Sequence, residues 1–561
     1  MKTIMKNSTE SIINNEIKSD SEALFNVAVT AALDAANGVS VEPTSLVSYK
    51  SSNFILVIGD DQRVIDVINK LSDEITITVL ISNKNSEVDL KLISNSVSIA
   101  YGQLTSLAGY LGNFTAELMV NGKVANLAQV YYPEIKGFDQ VIDLSPLPML
   151  SQDLLPFGYF SPGNDIELQD TINTVAELLG EFEKPKFFEY NADICAHGNS
   201  GILACQRCIN ACPADAITSL KDKIEVNPFL CQGGGTCATV CPSGAIQYSY
   251  PRLQDTLEKI RMMLKAYYAA GGEQAAIAFY AAEESFLYEH AALEHYIPFQ
   301  LEEIASVGIE VWLSAFAYGA HDVVLLTHES ILKTVNETLD IQMGYAHEIM
   351  AGMGYESSCL HKLVIKSNTP VFLPTISDSF NVVTPGKFIT LNDKRSALRM
   401  ATDHLYLFAP RPQKSISLTA GAPFGEVQVN KDRCTLCMSC VSVCPAKALA
   451  DGSELPQLNF SEANCVQCGL CSSACPEMAL TLFARYNFDP ELRRNPRRLH
   501  EDEPFCCTVC SKPFATHSII NTIMGKLGGH SMFQSDDAIN RLKMCEDCRV
   551  KDMFSHEMGL K

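Results

Sequence analysis

The cysteines of this chain follow a repeated spacing that restricts what it can fold into. Sixteen positions among the 561 residues fall into four copies of the pattern C-x2-C-x2-C-x3-C-P, and fifteen of them can supply a thiolate once one displaced cysteine is counted. Thiolates at this spacing hold iron–sulfur clusters. The cysteine map therefore predicts an electron carrier with several such clusters, rather than the disulfide framework of a small secreted protein.

The two copies nearer the C-terminus follow the pattern without departure and end in Cys444-Pro445 and Cys475-Pro476. The first three cysteines of a copy surround one cluster, and the proline turns the chain so that the fourth sulfur reaches the neighbouring cluster. This crossed arrangement predicts two ligand sets: Cys434, Cys437, Cys440 and Cys475 for one cluster, and Cys465, Cys468, Cys471 and Cys444 for the other.

The two upstream copies each lack one ligand. Ile202 stands where the first copy should open, but Cys195 lies seven residues earlier, and the glycine-rich stretch 198–201 allows it to loop back. Gly234 replaces the middle ligand of the second copy, so a [3Fe-4S] cluster, or a [4Fe-4S] cluster with a non-cysteine ligand, is expected there. Loss of that cluster is the alternative. The predicted sets are Cys195, Cys205, Cys208 and Cys241 for one site, and Cys231, Cys237 and Cys212 for the other.

The segments after the four prolines also agree with one another. They read CPAKAL and CPEMAL downstream, and CPADAI and CPSGAI upstream. Residues 426–485 resemble bacterial two-cluster ferredoxins on these motifs, and residues 186–250 resemble a variant of the same unit. The resemblance implies three to four [4Fe-4S] clusters, with a [3Fe-4S] cluster at the Gly234 site as one possibility.

The C-terminal residues 486–561 carry a different cysteine spacing. Two C-x2-C pairs offer four sulfurs, as in a closed structural zinc site, and rubredoxin-type iron is the alternative. Cys506 could replace its neighbour as a ligand, and His517 and His530 are spare candidates. The predicted zinc ligands are Cys507, Cys510, Cys545 and Cys548.

Two further segments have the pattern of α/β domains. Residues 51–185 begin with a buried strand at 54–58, a helix at 64–71 and a strand at 75–81. The first turn lacks the G-x-G-x-x-G of a dinucleotide site. Asn121-Gly122 predicts a hairpin that ends this sheet in an antiparallel section. Residues 1–50 are expected to be polar and partly flexible.

Residues 251–425 alternate again, with helices predicted at 253–268 and 311–318 and strands at 275–280 and 322–326. The runs Ile297-Pro298, 304–308 and 313–326 resemble the delta subunit of methyl-viologen-reducing hydrogenases. The resemblance implies a similar domain shape and a docking role. No cysteine occurs between Pro242 and Ser358, so the cluster of that family is not expected here. Cys359 stands alone and is assigned no function.

Charge and targeting signals restrict the partners. The formal net charge of −22 makes nucleic acid an improbable ligand and suits docking to a basic patch on a redox partner. The polar N-terminus shows no secretory or twin-arginine signal, and no long uncharged apolar run occurs. A cytoplasmic protein without direct membrane insertion is therefore expected. The arginines of 493–498 predict either a solvated face or a docking patch.

Motifs for hydrolysis, nucleotide binding or zinc proteolysis do not occur in the sequence. The fold class expected is a multidomain α/β and α+β protein, with two ferredoxin-like dicluster units interleaved with two α/β domains and followed by the four-cysteine module.

The segments 191–197 and 201–208, together with this domain order, resemble large cytoplasmic iron–sulfur proteins that accompany formate dehydrogenases. The resemblance implies a non-catalytic subunit that relays electrons between a formate dehydrogenase or hydrogenase and an acceptor. Two alternatives remain open: a self-contained reductase with a substrate or flavin site in the middle domain, and a redox sensor based on the Gly234 site.

Overall fold

A computed structural model describes most of the chain. The described residues are 24–71, 74–82, 88, 97–120, 122–285, 295–366, 383–453, 455–527, 530, 533 and 535–557. The expectations for residues 1–23 and for Asn121 lie outside this part of the chain.

The N-terminal half contains a parallel sheet. Its strands lie in the spatial order Ser98–Tyr101, Thr76–Ile81, Phe54–Ile58, Gln140–Asp143 and Tyr159–Phe160. Parallel strands are normally covered on both faces. The helices Arg63–Lys70 and Asp165–Glu177 cover one face, where Val64 and Ile172 pack against Ile55 and Val57.

The opposite face is covered by a second, antiparallel sheet. Its three strands are Leu104–Tyr110, Asn113–Val120 and Lys123–Asn126, and the helix Leu127–Tyr131 follows them. Phe114 and Phe138 pack there against Leu56. The hairpin after residue 120 is present, but its strands form a separate sheet and do not end the parallel one. That part of the prediction was wrong because the antiparallel strands supply the cover that the parallel sheet needs.

Residues 24–50 differ from the polar, partly flexible segment that was expected. A helix runs over residues 24–37, and its Ala28 and Ala32 are fully buried in the same hydrophobic core as Trp312. Farther on, Leu46–Ser51 pairs antiparallel with Gly180–Pro185. The prediction was wrong here because small alanines at four-residue spacing bury a helix face that contains few large apolar side chains.

The middle segment has a four-stranded parallel sheet in the order Tyr296–Leu301, Ala276–Ala281, Asp322–His328 and Leu360–Ile365. All nine residues of the helix Ile309–Ala317 are buried, so it forms the centre of the largest core. Three longer helices pack around it: Leu253–Ala269, Lys333–Met353 and Lys394–Leu407.

Two small units with the same plan flank this middle segment. In the upstream unit Phe188–Tyr190 pairs with Ile246–Tyr248, and Ile217–Leu220 pairs with Lys223–Val226. Its short helices are Arg207–Asn210 and Thr236–Val240. In the downstream unit Leu480–Asn487 lies between Ser415–Ser417 and Gly425–Val429, and Gln457–Phe460 lies between Leu449–Asp451 and Arg497–Glu501. Its short helices are Ser439–Ser442 and Leu470–Ser473.

The C-terminal segment continues from the downstream unit. The helix Pro490–Arg494 leads into a hairpin of Pro504–Cys506 and Pro513–Thr516. Three helices follow: His517–Leu527, Asp536–Arg541 and Glu546–Glu557. In the described part of the chain, none of the helices combines the length and the apolar character that crossing a membrane requires.

Candidate metal centres

The two intact copies of the cysteine pattern fold in the same way. In each copy, left-handed residues precede and follow the second cysteine, at Leu436 and Met438 in one copy and at Gln467 and Gly469 in the other. A short helix then starts and carries the third cysteine. These turns bend the backbone so that three thiols face one point.

The structure brings together both crossed sets of four cysteines. One cavity is lined by Cys434, Cys437, Cys440 and Cys475. A second cavity is lined by Cys444, Cys465, Cys468 and Cys471. In each set the fourth thiol comes from the other copy, as the crossed ligation requires.

Burial and the proximity of other thiols both raise the pKa of several of these cysteines. Burial raises the pKa of Cys440 to about 12, and the nearby thiols of Cys434, Cys437 and Cys475 add to the effect. Burial likewise raises the pKa of Cys468 to about 11, with contributions from Cys444 and Cys465. Metal ligation requires deprotonated thiols. Groups that offer only thiols around one enclosed space fit iron–sulfur clusters, because iron compensates the negative charge that burial otherwise opposes.

Backbone N–H groups point at the sulfur of three of the four cysteines that precede proline. Cys212 accepts from Ala216, Cys444 from Ala448 and Cys475 from Ala479, each at 3.3 Å. Hydrogen bonds to sulfur raise the potential of a bound cluster by stabilising its reduced form, so these groups are part of the electronic environment of these three sites.

A hairpin returns the displaced Cys195 to the upstream unit. The pairs Gly198–Asn199 and Ile202–Leu203 form two short antiparallel strands, and Cys205 N–H then donates to Ala196 O at 3.1 Å. The buried His197 fixes the turn through two hydrogen bonds, one between Nδ1 and Cys205 O at 2.8 Å and one between Nε2 and Ser219 Oγ at 2.7 Å.

The returned thiol lies with the other three members of its predicted set. Burial raises the pKa of Cys208 to about 12, and the thiols of Cys241, Cys205 and Cys195 raise it further. The structure therefore brings Cys195 close to Cys208, together with Cys205 and Cys241.

The Gly234 site has three thiols in proximity. Burial raises the pKa of Cys237 well above its usual value, and Cys231 and Cys212 contribute next. Lys184, which sequence reasoning missed, lies beside this set and donates from Nζ to Cys231 O at 2.5 Å. Burial lowers the pKa of Lys184 to about 8, although Cys231 opposes this. No local pattern marks a lysine that reaches this site from a strand 47 residues earlier.

Gly233, Gly234 and Gly235 differ in how strongly the backbone and its surroundings require glycine. Gly233 and Gly235 have positive φ values of 86° and 76°. A Cβ at 233 would lie 2.9 Å from the Phe187 ring, and one at 235 would lie 2.5 Å from the Ser306 backbone. A Cβ at Gly234 would contact only Pro213 Cγ, at 3.8 Å. The backbone therefore requires glycine on both sides of the missing ligand but not at its position.

The four tail cysteines also converge. Among the described residues, the sulfurs of Cys507, Cys510, Cys545 and Cys548 form one group in which all lie within 4.8 Å of one another. Burial raises the pKa of Cys507, but backbone N–H groups of residues 510, 545 and 509 outweigh it and lower the pKa to about 6. A tetrahedral zinc or iron ion fits four such thiols.

Cys506, His517 and His530, the other possible ligands of the tail metal, do not belong to the four-cysteine group among the described residues. Cys506 is exposed and belongs to a strand, and the His517 ring packs against Phe505 at 5.0 Å. His530 is adjacent to Phe533, with 6.4 Å between ring centroids, and is not in the group of four. Cys359 is buried apart from the cysteine sets, in the core of the middle segment.

The arginines of 493–498 form ion pairs with acidic residues of the same chain, although Arg494 and Arg498 remain more than half exposed. Arg493 is buried and pairs with Asp403, which also pairs with Arg494 at 3.1 Å. Arg497 pairs with Glu426 at 2.7 Å, and Arg498 pairs with Glu501 at 2.6 Å. These contacts favour a structural role over the docking patch.

Comparison with known families agrees with the cysteine geometry. Residues 183–245 and residues 433–480 each match a family model described as a 4Fe-4S dicluster domain. The chain contains two 4Fe-4S dicluster domains. These two domains support the assignment of the chain as an iron–sulfur protein that transfers electrons.

Two curated proteins share short stretches with this chain. Hydrogenase-4 component A of Escherichia coli is 47% identical over 45 residues, which are 8% of this chain and 22% of that protein. Indolepyruvate oxidoreductase subunit IorA of Pyrococcus horikoshii is 35% identical over 75 residues, which are 13% of this chain and 10% of that protein. The chain spans about a fifth and about a tenth of the lengths of these relatives.

Proposed function

We propose that this protein is a cytoplasmic electron-transfer subunit that relays electrons between an oxidoreductase of the formate dehydrogenase or hydrogenase type and an acceptor. The observation that carries the proposal is the proximity of fifteen cysteines in four groups within the two ranges that match dicluster domains. One named relative is a hydrogenase component and the other an oxidoreductase subunit, which supports a redox partner.

Each bound cluster would supply one-electron exchange without making or breaking a bond in a substrate. The residues of the chain hold the thiols in place, exclude water by burial and direct N–H groups at sulfur. Three complete sets would hold [4Fe-4S] clusters. The set of Cys231, Cys237 and Cys212 would hold a [3Fe-4S] cluster, and the four tail cysteines would hold one zinc ion.

The set that contains Cys434 is suited to exchange with a partner. Its Cys437 is exposed, whereas the thiols of the neighbouring set are buried or half-buried. An electron must reach the surface to leave the protein, so a cluster with one exposed ligand is the natural contact point. An acidic surface around it would favour a partner with a basic patch.

The domain division that accompanies this function is also a proposal. It comprises a Rossmann-like α/β domain at 51–185, a variant dicluster unit at 186–250, a delta-subunit-like α/β domain at 251–425, a regular dicluster unit at 426–485 and a zinc-binding tail at 486–561. In this division the delta-like domain would provide a docking surface for the oxidoreductase.

Anaerobic isolation of the native protein from its own cells tests the function. We expect about 14 to 16 iron atoms per chain and one zinc, with a formate dehydrogenase or hydrogenase catalytic subunit in the same fractions. A matched isolation of Cys437→Ser should retain the partner but pass electrons to it more slowly. Recovery of the native protein alone, with a bound organic cofactor released on denaturation, would replace the proposal with a self-contained reductase.

A further inference from the structure

The two dicluster units contact each other directly. The helix Leu470–Ser473 of the downstream unit packs on the strand Ile202–Leu203 of the upstream unit. The thiol of Cys205 is close enough to Cys468 to contribute to raising its pKa, after burial and the thiols of its own set. The ligand set that contains Cys205 and the set that contains Cys468 are therefore neighbours across this contact.

One arginine is hydrogen-bonded to both units at this contact. Arg395 Nη1 donates to Pro242 O at 3.3 Å and to Pro423 O at 3.2 Å. Its Nη2 donates to Ala463 O at 2.9 Å and to Cys465 O at 3.0 Å. Pro242 follows the last cysteine of the upstream unit, and Cys465 is the first cysteine of its own copy. The side chain thus joins backbone next to a ligand in one unit to the backbone of a ligand in the other.

The position of Arg395 is fixed from the middle segment. It lies in the first turn of the helix Lys394–Leu407, which packs along the fully buried helix Ile309–Ala317. The adjacent Lys394 donates from Nζ to Ala238 O at 2.8 Å and to Thr239 O at 2.5 Å, in the helix that carries Cys237. Two consecutive basic residues therefore hold the upstream unit against this helix.

Arginine is suited to this place by its geometry and charge. Its planar guanidinium presents several donors in a rigid fork, which lysine cannot reproduce. The group also lies over the Phe424 ring at 5.4 Å. Burial, and then Arg399, lower the pKa of Arg395 to about 10, so the group is still protonated at neutral pH.

We propose that Arg395 is a positioning residue that fixes the Cys205 and Cys468 ligand sets side by side, so that the two dicluster units act as one relay. This inference rests on the proposed function for its biological meaning. The step it serves is the passage of one electron from the reduced cluster on one side to the oxidised cluster on the other, and no proton or bond is exchanged. The order of sites along the relay would be the Gly234 set, the Cys195 set, the Cys468 set and the Cys434 set.

The experiment uses full-length chains that carry Cys231→Ser and Cys434→Ser, which leave one complete set on each side of the contact. Arg395→Gln and Arg395→Lys are compared in this background, with Arg399→Lys as the control. Arg399 donates to the same Ala463 O, at 3.2 Å, but has no hydrogen bond to a ligand cysteine. The readouts are iron content, the magnetic interaction between the two clusters after reduction with dithionite, and the potential of each cluster in a mediated titration.

We expect iron content to stay within about a tenth of the parent in all three variants, and the magnetic interaction to weaken in both Arg395 variants but not in Arg399→Lys. Loss of the positive charge in Arg395→Gln should also make both potentials more negative, whereas Arg395→Lys should shift them less. An unchanged interaction in Arg395→Lys overturns the proposal, and that variant decides the matter if Arg395→Gln fails to incorporate iron. Because dithionite replaces the physiological donor, absence of an oxidoreductase partner would refute the proposed function without affecting this result.

Discussion

Thr516 Oγ1 donates a buried hydrogen bond of 3.0 Å to the carbonyl oxygen of Thr435, the residue that follows the first cysteine of the Cys434 copy. Lys526 in the next helix pairs with Glu477 at 2.7 Å. The four-cysteine tail is thus seated on the downstream dicluster unit. A metal ion in the tail would stabilise the surroundings of that unit as well as the tail itself.

Cys545→Ser should remove the tail metal. Three thiolates bind zinc less tightly than four, and a structural zinc site contributes directly to folding. We expect about one zinc per chain to be lost and the downstream clusters to degrade faster in air. Metal analysis of the purified protein measures the zinc, and iron analysis repeated during exposure to air measures the loss of the clusters. Cys506→Ser is the matched control and should retain zinc; an equal loss in both variants would mean that Cys506 is a ligand.

Gly234→Cys should convert the variant site into a four-thiolate site. Position 234 does not have the positive φ of its two neighbours, and its Cβ would contact only Pro213 Cγ at 3.8 Å. We expect the electron paramagnetic resonance signal of an oxidised [3Fe-4S] cluster to disappear and iron to rise by about one atom per chain.

Gly234→Ala and Gly235→Cys test whether the effect of Gly234→Cys comes from a new iron ligand or only from the added side-chain volume. Gly234→Ala should leave the spectrum unchanged because it adds a methyl group without a ligand. Gly235→Cys should lower the yield of folded protein, since it places a side chain at φ 76° and 2.5 Å from the Ser306 backbone. A persistent three-iron signal in Gly234→Cys would show that the cysteine does not reach the cluster.

Cys195→Ser should destabilise the cluster of the set that contains Cys195, because only Cys205, Cys208 and Cys241 would then remain to hold it. We expect a loss of up to about four iron atoms per chain, because one thiolate of the cubane is missing. Cys359→Ser is the control, since that thiol is buried in the middle core away from the cysteine sets. Iron analysis after anaerobic purification distinguishes them, and full iron content in Cys195→Ser would exclude it as a ligand.

Asp322 should make the middle segment less stable as pH rises. Burial raises its pKa to about 7, and the hydrogen bond from Tyr296 Oη at 2.9 Å only partly opposes this. The unfolded chain has an aspartate pKa of about 3.9. The folded state therefore retains a proton that the unfolded state has lost, and the stabilising contribution falls between about pH 4 and pH 7, by at most roughly 4 kcal/mol.

Asp322→Asn should remove this pH dependence because its side chain does not titrate. The apparent midpoint of thermal unfolding at a fixed scan rate, measured between about pH 5 and pH 8, should fall more steeply in the parent. Glu337→Gln, at the surface pair with Lys333, is the control and should resemble the parent. Parallel curves for Asp322→Asn and the parent would contradict the prediction.

The sequence predicted the short-range features of this protein well. The strand expected at 54–58 is observed as Phe54–Ile58, and the helix expected at 253–268 is observed as Leu253–Ala269. Both have strong apolar patterns within a few residues. The glycine-rich turn likewise indicated the return of Cys195, since a hairpin is a local event.

Long-range contacts were not predictable in this way. Arg395 and Lys184 look like ordinary solvent-exposed basic residues in the sequence, because the carbonyl groups they bind are distant along the chain. The helix over residues 24–37 was missed for a related reason: Ala28 and Ala32 have little apolar area, and only the close approach of another helix makes their burial favourable.

Arg395 lies in the helix Lys394–Leu407, outside both residue ranges that match the dicluster family models. The arginine that is hydrogen-bonded to both units thus lies in a segment that neither family model matches. Either unit, transferred alone into another protein, would carry its own cysteines but would lack Arg395. Recombination that preserved electron flow would therefore have to move residues 183–480 as one inseparable block.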